Sequence, residues 1–118
     1  MAKTPKSSLE LVLESALDAK SRALDYSEPI ESTLSGCYTL LKYQNQQELE
    51  EITKNARGAL ILAYIIGGNG VKLEEIENAY KTIFLFKLHK KTLLSYLDGF
   101  IRANLIKKEN DEYISRTA

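Results

Sequence analysis

The residue types that carry most catalytic and metal-binding chemistry are scarce in this chain. Its 118 residues include one histidine, His89, and one cysteine, Cys37. One of each cannot supply the three or four nitrogen and sulfur ligands that a protein zinc site requires. A lone cysteine cannot close an internal disulfide either, so we expect Cys37 to be a buried apolar residue in a protein of a reducing compartment. The sequence predicts no metal and no other cofactor.

Two carboxylate clusters contain enough acids for general acid and base chemistry. They are Glu48, Glu50 and Glu51, and Glu74, Glu75 and Glu77. Each cluster stands near the start of a predicted helix, where the helix dipole favours negative side chains, so we interpret both as solvated first turns. The segment GGNGVK, residues 67–72, lacks the spacing of a phosphate-binding loop and follows a helix instead of a strand. No nucleophile, base and orienting group can be assembled, and we predict that the chain is not an enzyme.

Basic residues are concentrated in one part of the chain. The net charge is zero, but residues 1–55 hold six basic and nine acidic residues, which gives −3, whereas residues 56–118 hold ten and seven, which gives +3. Between Asn78 and Lys108, seven cations accompany a single acid, Asp98. These cations are Lys81, Lys87, Lys90, Lys91, Arg102, Lys107 and Lys108. A local excess of this kind is typical of contact with a polyanion, or of a solvated basic rim.

The first half of the chain has the apolar spacing of helices. A stripe at intervals of three and four predicts a helix over residues 7–26, and Ser27 with Pro29 begins a second, shorter helix. The apolar face of this second helix is predicted to hold Ile30, Leu34, Tyr38 and Leu41. A third helix is predicted from Gln47 to Ile66. Because its second half is apolar all the way round, it must be buried on several sides, and we expect the first two helices to cover it.

The second half predicts shorter elements. Glycines at 67, 68 and 70 end the third helix, and helices follow over residues 73–84 and 90–103. Two alternating segments around Glu109-Asn110-Asp111 predict a β-hairpin, so the fold class is mainly α. The link between the two helices is unusually apolar. We expect the N-terminal helices, or else a partner protein, to bury its residues Phe84, Leu85, Phe86 and Leu88.

The order helix, extended Val71, helix, helix and hairpin resembles the winged helix-turn-helix superfamily, and in particular its small prokaryotic and archaeal transcriptional regulators. Two stretches carry the resemblance, NGVKLEEIENAY (69–80) and YLDGFIRANLIKKENDEYISRT (96–117). In the second, Leu97 and Phe100 stand at core positions and Asn104 stands at the helix exit, where Gly is usual. Residues 105–106 correspond to the beginning of the first wing strand, and residues 113–115 correspond to the second. The resemblance implies an N-terminal helical extension, residues 1–55, packed on a winged-helix domain, residues 56–118, with a two-stranded wing.

This resemblance implies that the chain binds double-stranded DNA as a transcriptional regulator. The start of the second helix of a helix-turn-helix reaches base edges, which assigns groove contacts to His89, Lys90, Lys91, Thr92, Ser95 and Tyr96. Phosphate contacts are assigned to Lys107, Lys108 and Arg116, while Arg102 shares the outward face of the helix. For Tyr96, packing against the first core helix is an equal alternative. The apolar seam from Leu9 to Leu24 either pairs two copies into a homodimer or packs within the chain.

A second class of function is a winged-helix adaptor that binds another protein in a replication, transcription or other multiprotein assembly. Asp98 on the outward helix face, the acidic wing tip and the apolar segment Phe84–Leu88 favour it. The longest apolar run, residues 59–66, is far too short to cross a bilayer, and the opening MAKTPKSS lacks the apolar segment of a signal peptide. We therefore expect a cytoplasmic protein without membrane contact.

Overall fold

A computed structural model describes residues 6–116, which form six α-helices and one two-stranded antiparallel sheet. The elements are α1 (Ser8–Arg22), α2 (Glu28–Leu41), α3 (Gln46–Thr53), α4 (Ala56–Gly67), α5 (Leu73–Phe84), α6 (Lys90–Arg102), β1 (Ile106–Glu109) and β2 (Glu112–Ser115). The predictions of a mainly helical chain, a helical N-terminal half and a C-terminal hairpin are confirmed. The first five residues of MAKTPKSS, and residues 117–118 of the second predicted domain, lie outside the described range.

Helix α4 lies at the centre of the fold. Every residue from Gly58 to Ile65 is buried, and the helix packs against α1, α2, α3, α5, α6 and β2. This arrangement confirms that the helices before it cover the surface that the C-terminal half leaves open. The buried side chains of both halves form one continuous hydrophobic cluster, so residues 6–55 complete the core of the residues that follow them.

Helices α2 and α4 approach each other until their backbones touch. A Cβ atom built on Gly36 would lie 1.7 Å from the carbonyl oxygen of Ala63. The predicted apolar face of α2 is confirmed at Ile30 and Leu34 and is wrong at Tyr38 and Leu41, which are exposed. Cys37 and Leu40 are buried in their place. The predicted burial of Cys37 is confirmed, and desolvation raises the pKa of its thiol to about 12.

The prediction of one helix from Gln47 to Ile66 is wrong, because the chain breaks between α3 and α4. Lys54 has a positive φ of 71°, which a helix cannot continue, and it ends α3. Asn55 then caps α4, since its side-chain oxygen accepts a hydrogen bond from the Gly58 N–H at 3.1 Å. An asparagine N-cap satisfies a backbone donor that the first turn of a helix leaves unpaired. The segment therefore forms two short helices, α3 and α4, instead of the single helix that was predicted.

Helix α1 packs within the chain. Its buried positions Leu9, Val12, Ala16 and Ala19 face α2 and α4. The helix ends at Arg22, so Leu24 lies beyond it and is 98% exposed. Of the two expectations for the Leu9–Leu24 seam, packing inside one chain is observed for Leu9, Val12 and Ala16, whereas Leu17 of the same stripe is 45% exposed.

The elements after α4 follow the predicted order. Gly68 caps α4, and Val71 pairs with Tyr113 of β2 through two backbone hydrogen bonds of 3.0 and 2.7 Å. The hairpin pairs Ile106 with Ser115 and Glu109 with Glu112 across a two-residue turn. Both turn residues, Asn110 and Asp111, have positive φ, as a tight hairpin turn requires. The Val71 pairing fixes the hairpin to the segment that enters α5.

Candidate nucleic-acid interface

One side of α6 is held in the core, and this contact determines which of its side chains are free. Leu93, Leu97 and Phe100 are buried. Tyr96 is half-buried; its ring stacks on Phe100 with centroids 6.3 Å apart, and its hydroxyl donates to the Asn55 side-chain oxygen at 2.9 Å. Tyr96 therefore packs toward the start of α4, the alternative placement for this residue, instead of lying on the outward face of α6.

The N-terminal end of α6 carries unneutralised positive charge. Lys90, Lys91 and Ser95 are exposed, and neither lysine pairs with a carboxylate in the part of the chain that the structure describes. His89 occupies the N-cap position and is exposed, but its side chain makes no capping hydrogen bond. The positive end of the helix dipole adds to this field. An anion approaching α6 meets its most favourable potential at this end.

At the far end of α6, acidic partners offset the cations. Arg102 Nη2 lies 2.7 Å from Asp98 Oδ2, and Lys107 Nζ lies 2.8 Å from Glu109 Oε2. The hydrogen bond and charge of Lys107 lower the pKa of the Glu109 carboxyl. All four side chains are about half exposed or more, so these pairs contribute little to stability. They nevertheless interrupt a positive strip along α6 and the hairpin.

Two further predicted phosphate contacts lie on or next to the hairpin and have no carboxylate partner among residues 6–116. Lys108 is exposed, with its ammonium 5.8 Å from the centre of the Tyr113 ring. Arg116 is exposed, and its backbone N–H donates to the Leu105 carbonyl at 2.9 Å. These two cations remain available to an anionic partner beside the hairpin.

The apolar link between α5 and α6 is only partly covered. Leu88 is buried and Phe84 is half-buried, but Leu85 and Phe86 are 64% and 70% exposed. The expectation that the N-terminal helices bury this whole segment is wrong for Leu85 and Phe86. The reason is local: α5 ends at Leu85 in a left-handed conformation, with φ of 66°, and the chain turns outward before Leu88 returns to the core.

This link forms one wall of a cleft of about 300 Å³, which we call the basic-aromatic cleft. Its lining residues come from α4, α5, the link and α6, and none of them is acidic. They are Arg57, Tyr80, Phe84, Phe86, Lys87, Leu88, His89 and Thr92. Two predicted site residues, His89 and Thr92, are thus brought together with two cations and three aromatic rings.

Tyr80 and Arg57 are the members of this cleft that the sequence interpretation did not single out. The Tyr80 side chain is only 3% exposed, and desolvation raises the pKa of its hydroxyl although the nearby Arg57 charge opposes that shift. The signal for Arg57 was the run Asn55-Ala56-Arg57, an N-cap followed by a cation in the first turn. Because this run was predicted to lie inside one long helix, the position of Arg57 in the lining of the cleft was missed.

A second cleft, of about 450 Å³, lies on the other flank of α6 and faces the hairpin. Leu94, Lys72 and Lys108 line it together with the acids Glu74 and Asp111. Its charges are mixed, so it offers an anion less attraction than the start of α6 does. The two flanks of α6 therefore differ in electrostatic character.

Within residues 6–116, no three His, Cys, Asp or Glu side chains are grouped closely enough to hold a metal ion. None of the helices in that range has the length and apolar character needed to cross a bilayer. No family model, curated protein or solved structure matches the chain.

Proposed function

We propose that this chain is a winged-helix protein that binds double-stranded DNA and acts as a transcriptional regulator. In this proposal α4, α5 and α6 are the three helices of the domain, α6 is the helix that enters the groove, and the β1–β2 hairpin is the wing. The observation that carries the proposal is the pair of lysines at the positive end of α6, Lys90 and Lys91, which are exposed and form no ion pair within residues 6–116.

The surroundings of α6 support this proposal. The pairing of Val71 with Tyr113 holds the hairpin beside the helix, and Lys108 and Arg116 supply exposed cations there. Contacts from these two residues and from Lys90 and Lys91 to phosphates would orient the helix without reading sequence. Ser95 is the exposed neutral side chain one turn after Lys91, and its hydroxyl would contact base edges. Tyr96 is assigned a supporting role, because its hydroxyl is already engaged by Asn55.

The test is binding to duplex DNA at two salt concentrations. Four phosphate contacts predict a slope of log K against log salt of about −3.6, so a fourfold rise in salt should weaken binding about 150-fold. The double variant Lys90→Glu with Lys91→Glu should lose about half of that slope. Lys42→Glu, which makes half of that charge change at an exposed lysine after α2, is the control. Salt-independent binding, or equal loss in the control, would refute the proposal.

A second candidate function is an adaptor that binds another protein. It is favoured by the exposure of Leu85 and Phe86, and by Asp98, which holds Arg102 in an ion pair on the outward face of α6. Adjacent exposed apolar side chains are typical of protein interfaces. A single stoichiometric protein partner together with no salt-dependent DNA affinity would select this function over the first.

A further inference from the structure

We propose that the basic-aromatic cleft binds an acidic segment of a partner protein that inserts one aromatic or aliphatic side chain. The proposal rests on the adaptor function above and requires no DNA. It names the partner by its chemistry: a short extended or helical segment rich in Asp and Glu around an apolar anchor.

The apolar wall of the cleft supplies the site for the anchor. Phe84 and Tyr80 meet edge to face, with ring centroids 5.2 Å apart, and Phe86 and Leu88 extend this wall along the link. Phe86 is 70% exposed, so it loses little by moving against an incoming side chain and gains the burial of its ring. A volume of about 300 Å³ is at the lower end of ligand pockets and suits one large side chain and its neighbours.

The charges of the cleft select an acidic partner. Arg57 and Lys87 line it, no carboxylate does, and neither cation forms an ion pair among residues 6–116. Complementary charge speeds encounter and suppresses binding of basic segments. Carboxylates on either side of the anchor would meet these cations at the rim of the cleft.

Tyr80 adds a polar side chain to the lining of the cleft. The residue is only 3% exposed and packs against Phe84, so its ring is held in place. A carbonyl or carboxylate oxygen of a bound segment would accept a hydrogen bond from its hydroxyl. Duplex DNA fits the cleft less well, because its bases are stacked and offer no free apolar group for the aromatic wall.

The experiment measures binding of a fluorescein-labelled peptide, Glu-Asp-Glu-Phe-Leu-Asp-Glu-Asp, to the full chain by fluorescence anisotropy. Two comparison peptides replace either Phe-Leu by Ala-Ala or every acid by Lys. The chain variants are Phe86→Ala, Lys87→Glu and Tyr80→Phe, and the controls are Tyr38→Ala and Lys42→Glu, an exposed aromatic on α2 and an exposed lysine after it. Phe86 and Lys87 are exposed, so their variants should fold. Circular dichroism verifies folding for every variant.

We expect the acidic peptide to bind and both comparison peptides to bind at least about tenfold more weakly. Phe86→Ala and Lys87→Glu should each weaken binding about tenfold, as the loss of a central contact does, and Tyr80→Phe about threefold. The two controls should change it less than about twofold. A dissociation constant above about 1 mM overturns the proposal, as does equal binding to Phe86→Ala, Lys87→Glu and the controls.

A parallel titration with duplex DNA separates this proposal from DNA binding. Lys91→Glu should weaken DNA binding and leave the peptide unaffected, because Lys91 does not line the cleft. Peptide binding without DNA binding supports the cleft proposal and refutes the regulator. DNA binding without peptide binding refutes the cleft proposal and supports the regulator. If Phe86→Ala weakens DNA binding as strongly as Lys91→Glu does and no peptide binds, the cleft belongs to a nucleic-acid interface and the proposal fails.

Discussion

Two glycines in helix interiors should respond in opposite directions to the same substitution. Gly36 lies in α2, where an added Cβ would stand 1.7 Å from the Ala63 carbonyl oxygen of α4. Gly99 lies in α6, where an added Cβ meets nothing within 4 Å. Both positions gain helix propensity when Gly becomes Ala. The pair therefore isolates the cost of separating α2 from α4.

The magnitudes follow from that geometry. Ordinary van der Waals contact begins at 3.4 Å, so Gly36→Ala requires a displacement of about 1.7 Å that the backbone atoms of Ala63 cannot avoid by changing rotamer. Overpacking of a dense core costs about 3 kcal/mol at the upper end of its usual range, against a propensity gain of about 1 kcal/mol. We expect Gly36→Ala to lower the free energy of unfolding by about 2 kcal/mol. Gly99→Ala should raise it by about 0.8 kcal/mol.

Thermal unfolding followed by circular dichroism measures both changes. A chain of this length has an unfolding entropy of about 0.25 kcal/mol/K near its midpoint, so Tm should fall by about 8 °C for Gly36→Ala and rise by about 3 °C for Gly99→Ala. Urea titrations should show the same order at unchanged slope. If Gly36→Ala is as stable as the parent chain, the backbones of α2 and α4 do not touch and the packing described for α4 is wrong.

Three other predictions concern the link, the outward face of α6 and the buried thiol. Leu85→Gly should raise Tm by about 3 °C, because a left-handed φ of 66° costs leucine more than glycine; a lower Tm would contradict that backbone conformation. Asp98→Asn frees Arg102, so DNA affinity at low salt should rise severalfold and the salt slope should steepen by about 0.9; unchanged binding would place Asp98 outside the interface. Burial raises the pKa of Cys37 to about 12 from 9.0, so its contribution to stability is complete below pH 9 and is lost as pH rises from about 9 to about 12. Ionisation of Cys37 should lower the free energy of unfolding by at most about 1.4 kcal/mol per pH unit between about pH 9 and pH 12. Urea unfolding across this pH range measures the decrease, and Cys37→Ala should remove the part of it that the thiol causes.

Much of the fold could be predicted because its strongest signals are local. Glycines ended α4, and the Asn110-Asp111 turn marked the hairpin. The face of α2 was predicted correctly at Ile30 and Leu34, but one position away from the observed one at Tyr38 and Leu41. Its orientation depends on the contact of Gly36 with Ala63, a long-range approach that spacing within α2 does not contain.

The sequence predicted which charged side chains of the candidate site are exposed, but it did not predict how residues from distant segments come together there. Exposure of Lys90, Lys91 and Lys108 follows from their polarity at the edges of predicted elements. The position of Tyr96 depends on Asn55, which is 41 residues earlier in the chain, so no local pattern reveals the hydrogen bond between them. The basic-aromatic cleft likewise requires Arg57 from α4 and Phe86 from the link to lie together.

The break between α3 and α4 determines how the site is built. Because Lys54 ends α3, the side chain of Asn55 is free to cap α4 and to accept the Tyr96 hydroxyl through the same oxygen. A Cβ on Gly58 would lie 2.0 Å from the Thr53 carbonyl oxygen and 3.0 Å from the Tyr96 ring, so the end of α3 and one flank of α6 both close on this glycine. A continuous helix would place residue 55 within the backbone ladder and remove this support. The orientation of α6, and with it the exposure of Lys90 and Lys91, therefore depends on a helix end more than thirty residues away in the sequence.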